Sequence, residues 1–244
     1  LGNVIGSNIA NILLVLALPA LVSGLDTSEL DSRSSYLQML GVAVVFIALL
    51  FLGPLEIWHG LVLLALLTAM ISYTVRKARQ HREAVERDPS LALDTADISL
   101  WKALAYLVLG IVGLPIGADL MVNAARDLAL SLGVSEEVIG LTLVAVGTSL
   151  PELATSFMAA LRRQAEVALG NVIGSNILNV LAIMGVTSLF GPLAVSPQLL
   201  RIDVWVMLAA SVALGPFILG RRRIGRAAGA VFLLAYAAYM ISLF

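Results

Sequence analysis

The sequence predicts an all-α, polytopic transmembrane helix bundle with inverted-topology repeats. Three observations lead there. Apolar residues make up 60% of the 244-residue chain and charged residues 13%, with a mean hydropathy of +0.99; soluble domains carry about 45–50% and about 25%. The apolar residues gather into eight runs, each near the ~20 residues a helix needs to cross a bilayer. A stretch also occurs twice: Leu1 to Asn11 reads LGNVIGSNIAN and Leu169 to Asn179 reads LGNVIGSNILN, differing only at Ala10 and Leu178.

The runs are Val4–Val22, Tyr36–Leu52, Leu55–Val75, Leu100–Ala124, Val138–Leu161, Val167–Phe190, Ile202–Leu219 and Ala227–Phe244. Helices are expected because backbone polar groups in lipid must be satisfied within the segment. Barrel strands would alternate apolar and polar residues, and these runs do not. The chain starts at Leu1, inside a repeated motif, and is expected to lack an N-terminal part.

Basic residues cluster between runs. Arg76, Lys77, Arg79, Arg82 and Arg87 follow the third, Arg162 and Arg163 the fifth, and Arg221, Arg222, Arg223 and Arg226 the seventh. Each cluster is two crossings from the next, so all three fall on one side, the cytoplasmic side by the positive-inside rule, with the C-terminus outside. The two motif copies open runs one and six. Five crossings separate them, so they enter the membrane from opposite sides. Many secondary transporters place a midplane site between inverted repeats of this kind. Tyr36, Trp58, Tyr73, Trp101 and Trp205 lie near run ends, where interfacial rings are expected. Glu56 and His59, opening the third run, are expected to be solvated helix-end groups.

The polar residues within the apolar runs define the chemistry. Glu152 lies mid-run, where a carboxylate is costly and marks a functional site. Thr148 and Ser149, four and three residues before it, share its helix face. Gly147 and Pro151 are expected to loosen that helix and free carbonyls, foremost those of Ala145 and Val146. Asn171, Ser175 and Asn179 form a stripe at spacing four, repeated by Asn3, Ser7 and Asn11; Asn8 and Asn176 are offset toward another helix. Carboxylate, hydroxyl, amide and carbonyl oxygens suit hard cations such as Ca²⁺ or Na⁺.

Other classes fit less well. Arg and Lys are at the loops, so an anionic substrate has no partner at membrane depth. Cysteine is absent and the two histidines are far apart, which argues against a soft-metal site. No basic domain suggests nucleic acid. No GxxxxGK[ST] occurs, so ATP is not the expected energy source, and neither a cofactor nor enzymatic chemistry is expected. The partners are the lipid bilayer and small inorganic cations.

GTSLPE followed by GNVIGSN resembles the α-repeat signature of the calcium/cation antiporter superfamily, which includes the sodium/calcium exchangers. The stretch GADLMVNAARDLALSLGVSEEVIGLTLVAVGTSLPEL is similar to the family's approach to its second repeat. The resemblance implies ten helices in two inverted halves, of which the third to the tenth would be present. Residues 1–75 would be the remainder of the first half, 76–99 a cytoplasmic basic loop and 100–244 the second half. It also implies a site. Glu152 matches the central ion-binding carboxylate, with Thr148, Ser149 and the Ala145 carbonyl beside it. Ser175 and Asn179 match ligands of the next helix, and Ser7 and Asn11 their first-repeat equivalents. Asn179 stands where many relatives have Asp. The second central carboxylate would precede Leu1. The function implied is exchange of Ca²⁺ for Na⁺ across a cell membrane by alternating access, in a protein of prokaryotic type. The alternatives are Ca²⁺/H⁺ antiport on the same site, a passive cation channel, and an inactive truncated fragment.

Overall fold

The computed structural model describes residues 1–27, 32–87, 99–133 and 147–242. Eight helical segments account for them, with no strand among the described residues. They are α1 (Gly2–Val22), α2 (Arg33–Phe51), α3 (Ile57–Arg87), α4 (Leu100–Ser131), α5 (Leu150–Leu161), α6 (Ala165–Thr187), α7 (Leu199–Ile218) and α8 (Arg226–Ser242). Six are long and apolar enough to cross a membrane, while α5 and α8 are shorter.

The eight apolar runs thus match eight helices, with different ends. α3 continues past Val75 to Arg87, because once outside the apolar layer its good helix formers need no loop. Within the run Val138–Leu161 the described residues start at Gly147, which is helical; Thr148 and Ser149 form a turn, the helix resumes at Leu150, and Ala145 and Val146 lie outside the described residues. The helix is interrupted at Thr148 and Ser149, where loosening was expected, and Pro151 sits in the first turn of α5 as it resumes. There its missing N–H belongs to the donors that have no intrahelical partner anyway.

Two isolated backbone pairings fix the directions of the helices. Leu25, just past α1, exchanges two hydrogen bonds with Ile224, just before α8 (3.0 and 2.9 Å). Leu55, before α3, does the same with Leu193, past α6 (3.0 and 2.9 Å). So α1 ends on the face where α8 begins (face I), and α6 ends where α3 begins (face II). Since α2 carries the chain from face I to face II, α1 and α6 cross in opposite senses. This inversion rests on pairing within the fold and is independent of loop charge.

The packing repeats under the same exchange. α3 packs on the C-terminal half of α6, and α8 on that of α1. A Cβ on Gly60 of α3 would come within 2.6 Å of the Gly185 carbonyl and 3.0 Å of the Ser188 Cβ. A Cβ on Gly229 of α8 would come within 2.8 Å of the Ala17 carbonyl and 3.2 Å of the Ala20 Cβ. Glycine at both places lets two backbones approach closely.

Two aromatic-belt and helix-end expectations need correction. Tyr36 is buried, with its hydroxyl donating to the Ser211 carbonyl (3.2 Å), because α7 covers it; Trp58, Tyr73, Trp101 and Trp205 are exposed. His59 is also buried. Its Nδ1 accepts the Glu56 backbone N–H (2.9 Å), which caps the start of α3, while Glu56 is exposed as expected.

Candidate functional site

α1 and α6 cross at the centre of the bundle, and α5 packs against both. With its twelve residues, α5 is about 18 Å long, short of the ~30 Å hydrocarbon layer. Its C-terminal end is followed by Arg162 and Arg163, and Arg163 lines a face I cavity of about 880 Å³ with Arg223 and Gly24. Its N-terminal end is therefore at mid-depth. Glu152 lies in that first turn, where aligned peptide dipoles favour negative charge.

Ser149, buried just ahead of the helix, shares a 3.3 Å hydrogen bond with Ser7 of α1. Asn179 of α6 donates to Ser7 Oγ (3.4 Å) and to Asn8 Oδ1 (2.9 Å). Asn11 donates to Asn176 Oδ1 (3.0 Å). Asn171 donates to the Glu152 carbonyl (3.2 Å) and to Ser156 Oγ (3.0 Å), tying α6 to α5. Two acceptor oxygens here, Glu152 Oε2 and Asn11 Oδ1, are buried and receive no hydrogen bond from the described residues. Buried polar atoms are rarely left so.

π-helical turns begin at Asn11 in α1 (Asn11–Val15) and at the matching Asn179 in α6 (Asn179–Met184). The Leu16 N–H reaches the Asn11 carbonyl five residues back (3.3 Å). Such widened turns often mark functional positions.

Of the residues singled out from sequence, Ser7, Asn11, Ser149 and Asn179 are joined in one network, with Glu152 three residues from Ser149. Ser175 is half-buried on α6 beside it. Thr148 is exposed, so the turn before α5 separates it from buried Ser149; the two do not share a helical face with Glu152 as expected. Ala145 lies outside the described residues. The stripe of Asn171, Ser175 and Asn179 does not serve one neighbour: Asn171 bonds α5 and Asn179 bonds α1. Sequence reading gave no role to Ser156 and understated Asn8 and Asn176. The signal for the last two was their occurrence at the same place in both copies.

An inverted-repeat helix bundle with unpaired acceptor oxygens at mid-depth is the architecture of a secondary cation transporter. The sequence model described as "Sodium/calcium exchanger protein" matches residues 1–76 and 102–244, leaving out the end of α3, the segment that follows it and the first two residues of α4. The putative antiporter CaxA of Alkalimonas amylolytica is 35% identical over all of this chain and 77% of its own. The sodium/calcium exchanger MaX1 of Methanosarcina acetivorans is 46% identical over 47% of this chain and 33% of its own. The solved sodium-calcium exchanger NCX_Mj, soaked with zero Na⁺ and Ca²⁺, superposes with a TM-score of 0.80 at 35% identity, covering 100% of this chain and 76% of that one. The chain belongs to the sodium/calcium exchanger family, a family of membrane-embedded cation antiporters and not of enzymes.

Proposed function

We propose that the protein exchanges Ca²⁺ for Na⁺ across the cell membrane by alternating access. The observation that carries this reading is the pair of buried oxygens that receive no donor from the described residues, Glu152 Oε2 and Asn11 Oδ1. An unsatisfied buried acceptor costs about 1–3 kcal/mol, and more when charged; a cation coordinated there would offset that cost. The full ligand set in this reading is Glu152, Thr148, Ser149, the Ala145 carbonyl, Ser175, Asn179, Ser7 and Asn11. Glu152 supplies the charge, and hydroxyl, amide and carbonyl oxygens replace the hydration shell. Ions compete for this site while the surrounding helices expose it to one face and then the other. Residues 1–75 and 100–244 belong to the two halves. Face I, with its arginines, is cytoplasmic, and α8 ends outside.

The test is Ca²⁺ uptake into vesicles holding the reconstituted protein, under an outward Na⁺ gradient, a pH gradient, or neither, with Glu152→Gln alongside. Uptake driven by Na⁺ and lost in the variant is the expected result; removing the one charge facing a buried cation should cost a hundredfold or more, from roughly 3–5 kcal/mol. Uptake driven only by the pH gradient would make the protein a Ca²⁺/H⁺ antiporter. Gradient-independent flux would favour a channel.

A further inference from the structure

Asn8 and Asn176 hold the same place in the two motif copies, 168 positions apart, and neither is in the ligand set above. Each amide nitrogen donates to the backbone carbonyl of the other, both at 3.3 Å. Each also touches a methionine sulfur of the opposite half, Asn8 with Met207 and Asn176 with Met39, both at 3.8 Å. Met39 and Met207 are themselves 168 apart, so the whole arrangement maps onto itself when the halves are exchanged.

A backbone carbonyl can only accept. The end of each amide that faces it must therefore be the NH₂ group, which leaves an oxygen at the other end. Those oxygens face Asn179 and Asn11: Asn8 Oδ1 accepts from Asn179 at 2.9 Å, and Asn176 Oδ1 accepts from Asn11 at 3.0 Å. Two backbone carbonyls thus set the polarity of four side-chain amides. Asn11 and Asn179 are compelled to give their nitrogens to this network and to keep their oxygens free of it. For Asn11 that oxygen is buried and receives no donor from the described residues.

We infer that Asn8 and Asn176 are positioning residues, each turning the carbonyl oxygen of the opposite half's ligand amide toward the transported cation. The inference rests on the exchanger reading of the site. Without Asn8, the Asn179 amide loses the nearer of its two acceptors, keeping only the longer bond to Ser7 Oγ (3.4 Å), and can present its NH₂ group to the cation. Without Asn176, Asn11 can likewise present its NH₂ group. Because the control runs from one half to the other, each half's ligand is oriented only while α1 and α6 stay in register.

A double-mutant cycle on equilibrium ⁴⁵Ca²⁺ binding to the purified protein separates positioning from simple packing. Asn8→Leu should weaken Ca²⁺ binding roughly tenfold, the worth of one well-placed hydrogen bond. In an Asn179→Ala background the same change should matter less than about twofold, since the residue it acts through is gone. Asn8→Ala, which cannot overfill the site, repeats the test where the branched side chain does not pack. Equal effects in both backgrounds, or unchanged binding, would overturn the inference. Glu152→Gln is the control: if it abolishes binding while Asn8→Leu binds normally, the positioning role falls and the exchanger site stands. If Glu152→Gln binds normally, the site itself has been misassigned.

Discussion

In α1 the motif serine, Ser7, is buried and bonded to Ser149; its counterpart in α6, Ser175, is half-buried and has no side-chain hydrogen bond among the described residues. The motif's first asparagine shows the reverse. Asn171 in α6 bonds the Glu152 carbonyl and Ser156, whereas Asn3 in α1 is exposed. The local sequences are the same, so the difference comes from the neighbour. α5 bonds Ser7 of α1 from the turn before it and Asn171 of α6 from its body, while that body also packs on the C-terminal half of α1. The close approaches at Gly60 and Gly229 and the exchange between Asn8 and Asn176 are paired across the two-fold; the bonds made with α5 are one-sided.

The largest expected effect tests the paired features. Gly60→Val and Gly229→Val each drive a branched side chain into a facing backbone, at the Gly185 and Ala17 carbonyls. Both should destabilise the protein by about 2 kcal/mol or more, seen as matching falls in thermal unfolding temperature in detergent. A two-fold that holds requires both to fall; tolerance at one site only would break it.

The one-sided features should respond unequally. Asn171→Leu leaves Ser156 Oγ and the Glu152 carbonyl without their donor and should cost about 1–3 kcal/mol, while Asn3→Leu should stay within about 0.5 kcal/mol. The serines follow in the opposite order of copies: Ser7→Ala should lose about 1 kcal/mol and Ser175→Ala almost none. Thermal unfolding of the four variants checks both pairs. Equal losses at Asn3 and Asn171 would mean that their surroundings are alike after all.

How far the sequence could be read follows from the same contrast. Lipid imposes run length on every spanning segment, so eight helices and their inverted sense could be counted from composition and duplication. The duplicated motif also exposed Ser7, Asn11, Ser175 and Asn179, because polar residues repeated inside apolar runs stand out. Burial contributed by distant segments was not legible. Tyr36 and His59 look interfacial from their neighbours in sequence, yet both are buried, Tyr36 under a helix far along the chain. The π-helical turns at Asn11 and Asn179 leave no periodic signature, and the amide polarity at Asn8 and Asn176 depends on a helix crossing.

Pro151 offers a small effect and the most direct check on how α5 begins. A proline beside a buried carboxylate reads equally well as a break within a longer helix or as the first turn of a short one. The structure takes the second form, with Ser149 at the cap and Pro151 in the first turn. If Pro151 interrupted a helix, Pro151→Ala would restore a hydrogen bond and relieve a clash, stabilising the protein by about 3 kcal/mol. At a helix start there is no bond to restore, and proline's fixed φ already suits the turn. The substitution should then change stability by less than about 1 kcal/mol, with a small loss expected as the unfolded chain gains freedom. A clear rise in unfolding temperature would mean that one helix runs from Gly147 through Thr148 and Ser149 into α5, and Glu152 would then lie within a helix and no longer at its positive end.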